Sequence, residues 1–216
     1  QPVTLGRSEK MSKSRKNVVD PEAILEAYGA DTARLFMLSD SPPDRDLEWT
    51  DAGIEGDWRY LNRLWRMVDE PRVPPAPVPA SAGAAKPPEL GQAADTLHRL
   101  VHKTVAAVSR DLDIFHFNKA VARIREATNA LEKEPAGQRG EAISAVIHLI
   151  APLLPHLAEE LWSMLGHSDL IAERAWPKVD KALIEDETVT VAVQVNGKLR
   201  ATLTLAKNLP EEEAKA

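Results

Sequence analysis

Apolar positions recur at three- and four-residue spacing along most of this chain and switch to a two-residue spacing only near its end. Residues 1–19 follow neither period and read as loop. Asp20-Pro21-Glu22 predicts a helix start, with aspartate as cap and proline in the first turn, running through Ile24 and Leu25 until Gly29 breaks it. Asp31 opens a second helix, Thr32–Ser39, with Leu35, Phe36 and Leu38 expected inside. Ser41-Pro42-Pro43 ends that element, because consecutive prolines remove donors and exclude helical geometry. Over 51–70, Ile54, Trp58, Leu61, Leu64, Trp65 and Val68 fall on one helical face and predict a strongly amphipathic helix buried along that stripe.

Pro71 to Pro88 is dense in Pro and Ala and reads as a semi-rigid linker inside one bundle, since both flanking helices carry stripes that need cover. Three helices follow, roughly 89–112, 116–134 and 139–166. The first presents Leu97, Leu100, Val101, Val105 and Val108; the second Ala120, Val121, Ile124 and Leu131. The third, with Ile143, Val146, Ile147, Ile150 and Leu154, is apolar on more than one face and should sit centrally, bent by Pro152 and Pro155. From Thr188 the alternation Val189, Val191, Val193, Val195 predicts a strand, Asn196-Gly197 a turn, and Leu199, Ala201, Leu203 and Leu205 the return. A two-residue turn would pair Val195 with Lys198 and split the apolar faces. A three-residue loop pairing Val193 with Leu199 unites them and is the expected register. The fold class is therefore mainly α: a helical bundle preceded by a basic loop and followed by the start of a small α/β module. The expected divisions are 1–40, 41–180 and 185–216.

Composition adds exclusions. With no cysteine, disulfide scaffolds, thiolate metal sites and cysteine nucleophiles are ruled out. No apolar run is long enough to span a bilayer, the longest being interrupted by His148 and Pro152. A net charge of -6 argues against bulk nucleic-acid binding but permits a local basic patch. One exists: Arg7, Lys10, Lys13, Arg15 and Lys16 face only Glu9. The initial Gln1, and a helix start at Asn208-Leu209-Pro210 that stops at Ala216, suggest a piece of a longer protein.

Within that patch stands Lys10-Met11-Ser12-Lys13-Ser14, the loop motif of class I aminoacyl-tRNA synthetases, with an all-helical region directly after it as in that class. Lys16-Asn17-Val18-Val19-Asp20-Pro21 and Tyr28-Gly29-Ala30-Asp31-Thr32-Ala33-Arg34-Leu35-Phe36 resemble the leucyl, isoleucyl and valyl subgroup. Leu47-Glu48-Trp49 with Gly53 to Gly56, Ala151-Pro152-Leu153-Leu154-Pro155-His156, and Val193-Gln194-Val195-Asn196-Gly197-Lys198-Leu199-Arg200 look similar to the bacterial leucyl family in particular. The resemblance covers almost the whole chain and is weakest over 71–88. It implies an anticodon-binding-type bundle, and for the whole enzyme an ATP-dependent joining of leucine to its tRNA, tRNA(Leu), with magnesium accompanying ATP. It also implies a cytoplasmic, monomeric protein without a membrane partner. The rivals are an isoleucyl or valyl enzyme and a non-enzymatic tRNA-binding module.

The loop chemistry is coherent on physical grounds. Adenylate formation expels pyrophosphate, and a flexible ammonium can follow the growing negative charge and contact it most strongly in the transition state. The resemblance assigns that catalytic role to Lys13. Lys10, Met11, Ser12, Lys13 and Ser14 form the implied ATP-binding loop, with Met11 expected to anchor it by packing and Gly6 to let it move. The class's second motif, His-x-Gly-His, does not occur in this sequence, so the chain is expected not to activate leucine by itself. Arg59, Arg63 and Arg66 on the 51–70 helix, and Lys198 and Arg200 at the hairpin, are the candidate tRNA contacts. His98 and His102 lie one turn apart but lack a third ligand, and no metal site is assigned. His148 and His156 read as satisfied core histidines, Trp58, Trp65 and Trp162 as helix packing, and Glu185-Asp186-Glu187 as a solvated lead-in to the hairpin.

Overall fold

The computed structural model describes residues 9–69, 92–135, 139–185, 188–195 and 198–207. The linker at 71–88, Gly6, the Asn196-Gly197 turn, Asp186-Glu187 and the helix start at Asn208 lie outside the described residues. Among the described residues eight α-helices appear in chain order: α1 (Pro21–Tyr28), α2 (Ala30–Ser39), α3 (Asp51–Asp69), α4 (Gln92–Asp113), α5 (Phe117–Leu131), α6 (Gly140–Ile150), α7 (Pro155–Met164) and α8 (Lys181–Ile184). The antiparallel hairpin β1 (Thr188–Val195) and β2 (Lys198–Ala206) follows.

α6 is the centre of the bundle. Every residue from Ala142 to Ile150 is buried, which explains why its sequence is apolar all round. α4 and α5 pack against each other and against α6, and α3 and α7 close the remaining side. Leu97, Val101, Val105 and Val108 of α4 and Ala120, Val121, Ile124 and Leu131 of α5 reach the core as their periodicity requires. Leu35 of α2 joins the same core, so the segment that follows the basic loop is packed into the bundle. Its neighbour Phe36 is buried and meets the edge of Trp49 at 4.9 Å, and a Cβ on Gly53 would come within 2.7 Å of the Phe36 ring. Glycine at 53 is what lets α3 approach α2 this closely.

Three expectations need correction. The helix predicted over 139–166 is two helices, because Pro152 and Pro155 lack the donors that would carry the ladder across; the chain tightens through Leu153 N–H and Leu154 N–H to the Ile150 carbonyl at 2.8 and 2.7 Å, and Pro155 opens α7. On α3 the buried face is Ile54, Asp57, Tyr60, Leu64, Met67 and Val68, while Trp58 and Trp65 are 45% and 38% exposed. Polar partners turn the helix this way: the Tyr60 hydroxyl donates to Thr128 Oγ1 at 3.0 Å, since the Thr128 proton is committed to the Ile124 carbonyl, and Asp57 pairs with Arg125 and Ser39. In the hairpin, Val195 pairs with Lys198, not Val193 with Leu199. A bulge at Arg200 then shifts the register, so that Val193, Val191 and Val189 oppose Ala201, Leu203 and Leu205. The apolar faces are united by that bulge and not by the turn.

His148 is buried between Trp162 and Trp176, and its Nδ1 has no hydrogen-bond partner among the described residues, so there it is not a satisfied core histidine. Burial is the main cause that lowers its pKa, with Arg174 adding to the effect. Burial also leads in lowering His102, which faces His98 and Asp180, and His167, which faces Asp169 and Arg174. A histidine whose folded pKa lies below its unfolded value of about 6.5 contributes stability that is complete above that value and is lost as pH falls through it. Asp57, raised by burial against the pull of Arg125, acts in the opposite sense. Three groups against one predict a urea midpoint that falls steadily between pH 7.5 and pH 5.5. A midpoint that stays level or rises would contradict this assignment.

Candidate nucleotide loop and nucleic-acid surface

The basic loop has a defined local shape. Lys13–Arg15 form a single 3-10 turn closed by the Arg15 N–H to the Ser12 carbonyl at 3.0 Å, with Lys16 left-handed at its end (φ 53). Asn17 braces the turn: its Oδ1 accepts the Ser12 N–H at 2.8 Å and its Nδ2 donates to the Lys10 carbonyl at 3.3 Å. The hydroxyls of Ser12 and Ser14 lie 2.8 Å apart, and Arg15 pairs with Glu9 at 3.1 Å. Lys10, Lys13 and Ser14 are exposed. Met11 is 42% exposed, so within this chain it does not anchor the loop by packing. Asn17 is the residue that sequence reasoning quoted without a role; an amide five residues after a serine carries no signal until the loop closes.

α1 follows, capped by Asp20, whose carboxylate accepts the Glu22 N–H at 3.1 Å. Gly29 (φ 82, ψ 162) then turns the chain into α2 through backbone space that only glycine adopts readily. Asp31, read from sequence as a helix starter, has a different task. Its buried carboxylate accepts the Leu157 N–H at 2.7 Å and lies 3.0 Å from His156 Nδ1, capping α7 from another helix. Arg34 Nε and Nη2 donate to the carbonyls of Leu153 and Pro152 at 3.0 and 3.1 Å, which the proline break leaves without helical donors. His156 is thus an exposed partner of Asp31 and not a core residue. Two sequence motifs more than a hundred residues apart form one clamp that fixes the helices after the loop to the bundle.

The predicted tRNA contacts divide by environment. Arg66 is exposed and makes no ion pair among the described residues, while Arg59 is exposed and 3.6 Å from Glu55. Arg63 is drawn inward, bonded to Asn129, 3.9 Å from Glu132 and over the Tyr60 ring at 5.6 Å. The exposed Trp58 and Trp65, two turns apart, share α3 with these arginines. Both tryptophans were expected as helix packing; the structure instead leaves them exposed on the helix that carries these arginines. Lys198 and Arg200 are exposed on β2, with Arg200 projecting from the bulge. His98 and His102 meet edge to face at 4.7 Å, and His102 Nδ1 accepts the Asp180 N–H at 3.1 Å, tying the α8 cap to α4. Among the described residues no three His, Asp or Glu side chains are grouped to hold a metal ion, and no helix is long and apolar enough to cross a membrane.

Residues 95–215 match the family described as the anticodon-binding domain of tRNA ligase, and residues 3–50 match class I tRNA synthetases (I, L, M and V). The chain is 61% identical over 214 residues to a leucine--tRNA ligase of Paramagnetospirillum magneticum, covering 96% of this chain and 24% of that protein. It is 54% identical over 221 residues to a leucine--tRNA ligase of Rhodospirillum rubrum, covering 100% of this chain and 25% of that one. The chain therefore spans about a quarter of the length of the curated relatives it matches. Among solved structures it is similar to LeuRS in the ternary complex of Agrobacterium radiobacter K84 agnB2 LeuRS, tRNA and LeuAMS, with a TM-score of 0.79 and 31% identity over 95% of this chain and 26% of that one. Apo methionyl-tRNA synthetase of Mycobacterium tuberculosis, with a TM-score of 0.54 and 21% identity over 77% of this chain and 37% of that one, shows the fold alone.

Proposed function

The chain belongs to the family of the anticodon-binding domain of tRNA ligases, and on that premise we propose that it serves as the loop-and-bundle portion of a leucine--tRNA ligase. The observation that carries this reading is sequence identity of 61% and 54% to leucine--tRNA ligases, extending through loop, bundle and hairpin alike. It does not favour the isoleucyl or valyl alternatives. The activity is ATP-dependent activation of leucine and its transfer to leucine tRNA, in the cytoplasm and as a monomer. In it Lys10, Met11, Ser12, Lys13 and Ser14 close over ATP, and Lys13 meets the pyrophosphate as it leaves. Among the described residues Glu9 is the acid beside the loop, and it is held by Arg15, which supports reading magnesium as a companion of ATP. Magnesium belongs with ATP as part of the substrate.

The bundle holds the tRNA body through α3, with Lys198 and Arg200 as a second contact. Phosphate contacts release counter-ions, so binding weakens with salt in proportion to the number of contacts. The 216-residue chain should bind a leucine tRNA transcript more tightly than isoleucine or valine transcripts across a salt series. Arg66→Ala should weaken all three alike and lower the slope of log K against log salt by about 1. Binding that ignores salt, or an Arg66→Ala slope equal to that of the parent, would remove α3 from the interface.

A further inference from the structure

α4 ends in a Schellman motif, with the His116 N–H donating to the Asp111 carbonyl at 2.7 Å and the Phe115 N–H to the Leu112 carbonyl at 3.0 Å. The residue at its left-handed position is Phe115, at φ 58. Glycine favours that conformation, because any Cβ there crowds the neighbouring carbonyl. The Phe115 ring does not compensate by packing inward: it is 65% exposed, touches Phe117 edge-on at 5.7 Å, and stands beside Ile114, itself 52% exposed. A strained backbone that presents an aromatic ring to solvent is a choice the turn does not require.

The surroundings are basic. Arg110, one turn before Ile114, is exposed and only 3.9 Å from Asp111, whose buried carboxylate is already bound by Arg123. Lys119 is exposed in the first turn of α5, and Asp113 is the exposed acid nearby. Two apolar side chains are far too small a patch for a stable protein interface, which needs about 800 Å² from each partner. One ring with flanking cations does match one unpaired base with its phosphates.

We propose that Phe115 is an RNA contact, its ring stacking on an unpaired base of the tRNA while Arg110 and Lys119 neutralise adjacent phosphates. This rests on the tRNA-binding reading above and adds a third contact element at the α4–α5 turn, separate from α3 and the hairpin. The test compares Phe115→Gly and Phe115→Tyr with the parent chain by thermal melting and by anisotropy with labelled leucine tRNA and with a blunt RNA duplex. Phe115→Gly relieves the backbone, so its Tm should rise by about 2 °C. Its Kd for tRNA should nevertheless rise about ten-fold, the loss expected for one stacked base. Phe115→Tyr should keep the parent affinity, and the duplex should bind all three proteins equally. If the parent binds tRNA and Phe115→Gly binds it just as well, the inference fails and the tRNA reading stands. Equal losses on tRNA and duplex would also overturn it, since a stacked unpaired base is then not what the ring meets. If the parent binds no tRNA, both readings fall together.

Discussion

Replacing Lys13 with alanine in a full-length ligase carrying this chain should lower kcat for leucine-dependent pyrophosphate exchange by about 100- to 1,000-fold, with a much smaller change in the KM for ATP. The reason is where this ammonium stands. Lys13 opens a 3-10 turn whose backbone is held from outside by the Asn17 amide, so the turn keeps its shape without using the lysine. Its side chain is exposed and makes no ion pair among the described residues, unlike Arg15, which is committed to Glu9. A cation free to move adds little to binding the ground state, where ATP's charge is already spread and screened. It adds much when charge concentrates on departing pyrophosphate in a closed site. Lys13→Arg should restore only part of the rate, because a planar guanidinium cannot follow the phosphates as a point charge does. The 216-residue chain by itself should give no exchange, since the His-x-Gly-His motif of the class does not occur in its sequence. A Lys13→Ala enzyme with normal kcat and a raised KM would make the residue a binding group and remove it from the transition state.

The stripes of α4, α5 and α6 were legible because a helix buried on one side, or on all sides, writes its environment into residue spacing. Leu97, Val101 and Val105 could face nowhere else. α3 defeats the same rule. Its apolar residues permit more than one face, and the choice is made by Tyr60 reaching Thr128 and Asp57 reaching Arg125, polar contacts 68 residues distant that no local pattern contains. The clamp between α2 and α7 is hidden in the same way. Asp31 has the look of a local cap, yet the N–H it accepts belongs to Leu157. The prolines at 152 and 155 did announce a disturbance. Whether they bend or divide the helix depends on having partners for the exposed carbonyls, and Arg34 provides them. In the Lys10–Ser14 loop the residue types suggest a chemistry, but the brace at Asn17 was not legible, because bracing depends on closure. In the hairpin the requirement that valines oppose leucines was correct, and the device that meets it, a bulge at Arg200, is one of several the sequence allowed.

The burial reversal among the tryptophans makes a direct comparison possible. Trp162→Ala should cost about 3–5 kcal/mol of stability and lower Tm by roughly 10 °C, whereas Trp58→Ala should cost less than about 1 kcal/mol. Trp162 is completely buried in α7, so truncation leaves a cavity that packed helices on several sides cannot close. It also holds the chain that leaves the bundle. The His167 ring stacks on it at 3.5 Å and 9°, and the Arg174 guanidinium lies over it at 5.8 Å, so losing the indole frees the segment that returns past His148 to Trp176. Trp58, 45% exposed on the outer face of α3, supports nothing comparable. The sequence offers no reason to separate the two, since both stand at helical spacing among apolar neighbours. Equal losses would return Trp58 to the core and take with it the aromatic half of the proposed α3 surface. A large loss confined to Trp162 leaves Trp58 free to be spent on binding, and tRNA affinity of the stable Trp58→Ala protein then reports that role without a folding defect to confuse it.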